Sequence, residues 1–237
     1  MAVTFKQLIN RALRITGEDE IASATTAVSD AEHLLVAEMA NQIKEEVEAA
    51  HNWRALRQTV TVAFTVGVNS TAVSEANERS RVMRVMDNQR GKIVPLVFDI
   101  TDADNPIPLI ELDIADLLYR RKMDTTQGDP CYFAFDNTSG DGLSLELYPT
   151  PDGTKSIEAT LVIPQDRLDA AVDADLATNI KVPVRPIELG LIRYILEERG
   201  EELGINSRFS EEKEMKALQD AVALDAEESG SYDLMLT

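Results

Sequence analysis

The chain has 237 residues, 44% of them hydrophobic, with a formal charge of −19 and a pI near 4.4. That surplus of carboxylate argues against a module that grips nucleic acid, since phosphate binding depends on clustered Lys and Arg. One cysteine excludes an intrachain disulfide framework and a cysteine-based zinc site, and no run of about 18 apolar residues could span a bilayer. The length suffices for a sizeable core, and the polar opening "MAVTFKQLINRALR" reads as part of a soluble, unprocessed chain rather than a secretory leader.

The first element is a helix over "TFKQLINRALRITG". Thr4 and Gln7 suit a capping box, Phe5, Leu8, Ile9, Ala12 and Leu13 recur at helical spacing, and Gly17 suits a left-handed stop. "SDAEHLLVAEMANQIKEEVEAAHNW" repeats the pattern, with Ser29 and Glu32 as capping box and Leu35, Met39, Ile43, Val47 and Ala50 as the apolar stripe. The two helices, joined by the Ala-, Ser- and Thr-rich stretch Ile21 to Val28, are expected to pack as a hairpin.

After Trp53 the period changes to 2. In "ALRQTVTVAF", Leu56, Val60, Val62 and Phe64 share one side and Arg57, Thr59, Thr61 and Ala63 the other, which is a strand with one wet face. "SRVMRVMD", "GKIVPLVFD", "CYFAFDN", "LSLELYP" and "SIEATLVIP" follow as further strands, several of them separated by turn clusters such as "DNQRG", "NTSGDG" and "TPDG". Within this block "PLIELDIADLLYRRK" places Leu109, Leu112, Leu117 and Leu118 in a helical pattern and predicts one inserted helix.

From Val182 the helical period returns. Pro186 stands at a helix start, Ile187, Leu191, Tyr194 and Ile195 form its apolar face, and Gly204 marks its end. Gly190 inside it costs about 1 kcal/mol against alanine, which points to close packing on a neighbouring helix. A last helix, capped by Ser210 over Glu211 and Glu212, presents Met215, Leu218 and Val222. Beyond Ser229, Gly230 and Ser231 come the apolar residues Tyr232, Leu234, Met235 and Leu236 of a short tail suited to docking on a partner. The expected architecture is α+β: a helical bundle from residues 1–54 and 167–228, an inserted antiparallel β-sandwich or small barrel over 55–166, and a docking tail over 229–237.

Catalytic signatures are absent. There is no phosphate-binding, nucleophile-elbow or dinucleotide motif. His33 and His51 are separated by about 27 Å along one helix, too far to share a metal. Cys131 has no adjacent base and reads as a half-buried strand residue. The pairs Glu45–Glu46 and Glu197–Glu198 read as solvated helix faces, and "DITDADN" lacks the order of a calcium loop. No cofactor or metal is expected.

Taken in order, "HNWRALR", "MRVMD", "GKIVPLVFD", "ELD", "GDPCYFAFD", "LELYPTPDG", "ATLVIPQDRL" and "VPVRPIELGLIRYILEERGEELG" resemble the head-to-tail adaptor proteins of tailed bacteriophages, of the tail tubular protein A type of short-tailed phages. The pattern G-x-P-x-x-[YF] falls on Gly128, Pro130 and Phe133. L-x-P-x-P-D falls on Leu147, Pro149, Pro151 and Asp152, and the proline before the C-terminal helix on Pro186. The stretch "SEANERS" departs from the pattern, where relatives carry a proline-containing phrase. The resemblance implies a non-enzymatic, dodecameric homo-oligomeric ring between portal protein and tail nozzle or tube. Genomic DNA would pass through it without specific binding. It would be assembled in the host cytoplasm and retained in the virion, with no membrane partner. On that view the acidic face of Glu197, Glu198, Glu201 and Glu202 is the channel candidate, and the tail engages the portal or an adjacent protomer. A neck or tail-completion protein of a long-tailed phage shares the ring plan. A glycan-binding or hydrolytic tail domain fits less well, since only 5% of the chain is aromatic.

Overall fold

Thr4 starts helix α1 (Phe5–Thr16) with the capping box that its sequence specifies: its hydroxyl accepts from Gln7 N at 3.2 Å while the Gln7 side chain accepts from Thr4 N at 3.1 Å. Gly17 closes the helix at φ 80°, a left-handed conformation that a residue with a Cβ rarely adopts. The structure is a computed structural model and describes residues 2–21, 28, 30–87, 91–137, 142–198 and 205–229. The fold is α+β. Its chain forms two compact units, a helical one from Met1–Leu56 and Gln165–Thr237 and a β one from Arg57–Pro164.

In the helical unit, α2 (Ala31–Ala50) is capped by Asp30, whose carboxylate accepts from Glu32 N at 3.0 Å; Ser29, the expected cap, lies outside the described residues. The buried face also differs from the expected stripe. Leu35 and Ala50 are exposed and Met39 is half-buried, whereas Val36, Ala37, Ala40, Ile43 and Val47 are buried together with Asn41, Lys44 and Glu48. The face turns because those three polar side chains find partners on the returning chain at 165–168. Asn41 exchanges hydrogen bonds with Leu168 N and O, Lys44 Nζ donates to Gln165 O and Asp166 O, and Glu48 accepts from Gln165 N. Buried polar groups so paired avoid the cost of unmet hydrogen bonds.

After the short α4 (Asp173–Leu176), α5 (Val184–Glu198) packs on α1, α2 and α6 (Ile205–Ser229). Pro186 lies in the first turn of α5, where its missing N–H has no helical partner to lose. Gly190 is buried at the crossing: a Cβ there would stand 2.7 Å from Glu214 Oε1 and 3.1 Å from Ile43 Cγ2. Ser210 does not cap α6, which begins at Ile205, and Met215 is exposed; the packed side of α6 runs through Glu214, Ala217, Leu218, Ala221, Val222 and Asp225, all half-buried. A helix this polar can extend through its serine because packing on α5 outweighs the local cap signal.

In the β unit, β1 (Arg57–Phe64) buries Val60, Val62 and Phe64 as its alternation specifies, and pairs antiparallel with β13 (Lys155–Val162) from Arg57↔Val162 to Phe64↔Lys155. Beyond β13 lie β6 (Val97–Asp99) and β7 (Ile107–Pro108), with β3 (Arg81–Val82) also on β13. A second sheet orders β2 (Ser70–Ala72), β11 (Ser144–Tyr148), β10 (Tyr132–Asp136) and β8 (Ile110–Glu111). Valines 60, 62, 82 and 97, Phe64, Ile157 and Leu161 from the first sheet and Phe133, Leu145 and Leu147 from the second make one core. β4 (Arg84–Asp87) and β5 (Lys92–Pro95) form a separate hairpin, and β9 (Gln127–Gly128) pairs with β12 (Thr150–Pro151) in parallel, as β8 does with β10.

The inserted helix is shorter than its leucine pattern suggested. α3 spans Ile114–Met123, capped by Asp113. Leu109 and Leu112 precede it: Leu109 fills the β core, and the amides of Ile110 and Leu112 donate to Cys131 O and Phe133 O, so backbone pairing with β10 takes the segment that leucine spacing alone assigned to the helix. Leu117 is buried but Leu118 is exposed.

Candidate interaction surfaces

The described residues contain no group of three or more His, Cys, Asp or Glu side chains positioned to hold a metal, and no helix long and apolar enough to cross a membrane. Cys131 is exposed, one residue before β10, which corrects its reading as a half-buried strand position; its Sγ lies 3.6 Å from Asp129 O. His33 Nε2 contacts Asp19 O at 2.9 Å, whereas His51 Nε2 lies 3.2 Å from Asp225 Oδ2. In the "DITDADN" loop the carboxylates serve the turn itself: Asp99 accepts from Thr101 N and Asp102 from Asp104 N. Lys155 pairs with Asp129, and that hydrogen bond holds the lysine amine above its ordinary pKa.

The helix-to-strand corner is built around Trp53, whose Nε1 donates to Val47 O at 2.6 Å and whose ring meets His51 edge-to-face at 5.0 Å. Asp225 near the end of α6 is held at this corner, accepting from Arg54 N at 3.2 Å as well as contacting His51. Beside it opens a groove of about 360 Å³. Val3, Trp53 and Val182 form its buried floor, Pro183 and the exposed Lys181 line its side, and Asp225 stands on its wall. Pairing of the first residues with the segment before α5 frames the groove: Ile180 N donates to Val3 O at 3.0 Å, and Thr4 bridges Asn179.

On the β unit, α3 carries a surface that leucine counting did not reveal. Tyr119 and Met123, one turn apart on one side of the helix, are 64% and 70% exposed, and Leu118 at the flank of that side is exposed too. The opposite side is fixed by Arg121, which donates to Asn69 O and Leu147 O and pairs with Glu146 at 2.6 Å, while Arg120 stacks over Tyr132 at 4.9 Å. Met86 and Ile93, opposite each other on the β4–β5 hairpin, are also exposed.

Of the residues singled out for a channel, Glu197 and Glu198 are exposed at the end of α5. Glu197 lies 3.5 Å from Arg193 Nη1, and Glu198 accepts from the Tyr194 hydroxyl at 3.0 Å. Glu201 and Glu202 lie outside the described residues, as do Tyr232, Leu234, Met235 and Leu236. Glu214, facing Arg193 at 3.0 Å, has its carboxyl raised above the usual range by burial, an effect that Arg193 partly offsets.

A family model described as SU10 adaptor protein matches residues 3–231. No curated protein matches the chain.

Proposed function

The chain belongs to the SU10 adaptor protein family, which makes it a structural phage adaptor, and on that basis we propose that copies of it close into a dodecameric ring joining the portal to the tail nozzle or tube of a short-tailed virion. The family match over residues 3–231 carries this reading, because it spans both structural units. Physical features support it. A closed ring needs two different complementary surfaces on each subunit, and each unit of this chain exposes large apolar side chains of its own, Leu118, Tyr119 and Met123 on the β unit and Ile15, Leu35 and Leu224 on the helical one. The charge of −19 would keep a DNA phosphate backbone from adhering to the channel. In this reading Glu197, Glu198, Glu201 and Glu202 face the lumen, and Tyr232, Leu234, Met235 and Leu236 engage the portal or an adjacent protomer.

Negative-stain microscopy of the purified protein, alone and with portal rings, tests the proposal. Rings, or ring-shaped density added to the portal, are the expected result. A protein that stays monomeric in the presence of portal overturns it.

A further inference from the structure

We propose that the groove beside Trp53 is the docking site of this same chain's segment 230–237. Three observations point there. α6 is described to Ser229, and Asp225 on the groove wall is pinned to His51 and Arg54, so the chain emerges about 6 Å along the helix from the groove. Eight further residues reach about 26 Å when extended, enough to cross it without strain. The segment also has matching chemistry. In extended form, Tyr232, Leu234 and Leu236 alternate to one side, suited to the apolar floor of Val3, Trp53 and Val182, and Asp233 supplies an anion for Lys181 on the side of the groove.

Docking in the same chain gives the segment an effective concentration in the millimolar range. The groove is therefore filled in the free subunit, and any portal contact made by Tyr232 to Leu236 must compete with it. This goes beyond ring formation and does not depend on it.

The test uses a fluorescent synthetic peptide covering residues 230–237, the full chain, and a chain ending at Ser229. Peptide anisotropy should rise saturably with the shortened chain, and the full chain should bind the peptide at least about tenfold more weakly because its groove is taken. Lys181→Glu in the shortened chain, an exposed change that spares the fold, should weaken peptide binding about three- to tenfold, and a peptide carrying Asp233→Lys should recover it. A peptide that binds neither chain, or both equally, overturns the proposal, as does indifference to Lys181→Glu. Portal pull-down with the shortened chain separates the two readings: undiminished portal capture removes the tail–portal contact while leaving the groove assignment to the peptide result.

Discussion

Lys44 Nζ lies 3.7 Å from Glu48 Oε1 one helical turn away, and both side chains are sealed from solvent. A buried ion pair of this kind is tolerable only where the remaining donors and lone pairs are met. Here the backbone of residues 165–166 meets them, with Lys44 donating to two carbonyls and Glu48 accepting from an amide. Lys44→Ala should cost about 3–5 kcal/mol, because it leaves Glu48 charged and buried. The double change Lys44→Met with Glu48→Met should cost less than Lys44→Ala alone. Urea unfolding of the three proteins checks the order, and a double variant weaker than the single one refutes it.

Arg121 should prove the residue that fastens α3 to the sheet. Its planar guanidinium serves two carbonyls and a carboxylate at once, which a lysine ammonium cannot copy with the same geometry. Arg121→Ala should destabilise the β unit by about 3 kcal/mol, and Arg121→Lys should recover less than half of that. Thermal unfolding supplies the comparison; full recovery by lysine would show that charge alone suffices.

At the crossing of α5 with α2 and α6, Gly190→Ala gains about 1 kcal/mol of helix propensity yet must displace Glu214 or Ile43. Glu214 can swing away only by giving up Arg193, so a net loss of about 1 kcal/mol is expected. In a Glu214→Ala background the same substitution should lose much less, since the nearer obstacle is gone. Additive effects in this double-mutant cycle would contradict the packing account.

Glu214 also predicts a pH dependence. Its folded-state pKa is raised, chiefly by burial, so the folded protein holds this proton more tightly than the unfolded chain does. Its contribution to stability is therefore fully present below the ordinary carboxylate pKa and is lost as pH rises through the elevated value. Glu214→Gln should gain stability relative to the parent on going from about pH 4 to pH 7. Denaturant unfolding at both pH values measures it, and a relative loss at pH 7 would reverse the assigned sign.

Local signals were legible in the sequence wherever neighbours along the chain decide the outcome. The Thr4–Gln7 box, the Gly17 stop and the alternation of Val60, Val62 and Phe64 need no distant partner. The face of α2 was not legible, because Lys44 and Glu48 look solvent-bound until the chain returns at Gln165 to satisfy them. Leu109 and Leu112 read as helical because spacing cannot register a strand pairing with residues more than twenty positions later. The α3 surface stayed hidden for a related reason: Leu118 falls in the same leucine pattern as the buried Leu117, while Arg121, a charged residue, is the one that reaches the sheet. The groove is formed by segments near residues 3, 53 and 182, and no window of sequence contains all three.

The grip of Asn41, Lys44 and Glu48 on residues 165–168 sets an order of events during synthesis. α2 leaves the ribosome long before its partners exist, since residues 57–164 must be translated first. At 5–20 residues per second that delay is on the order of 5–20 s. During it Asn41, Lys44 and Glu48 await burial, and the first sheet waits with them, because its central strand β13 ends at Val162, just before Gln165. A nascent chain stalled before Gln165 should therefore have neither its first sheet nor its helical unit closed, and both should be open to protease.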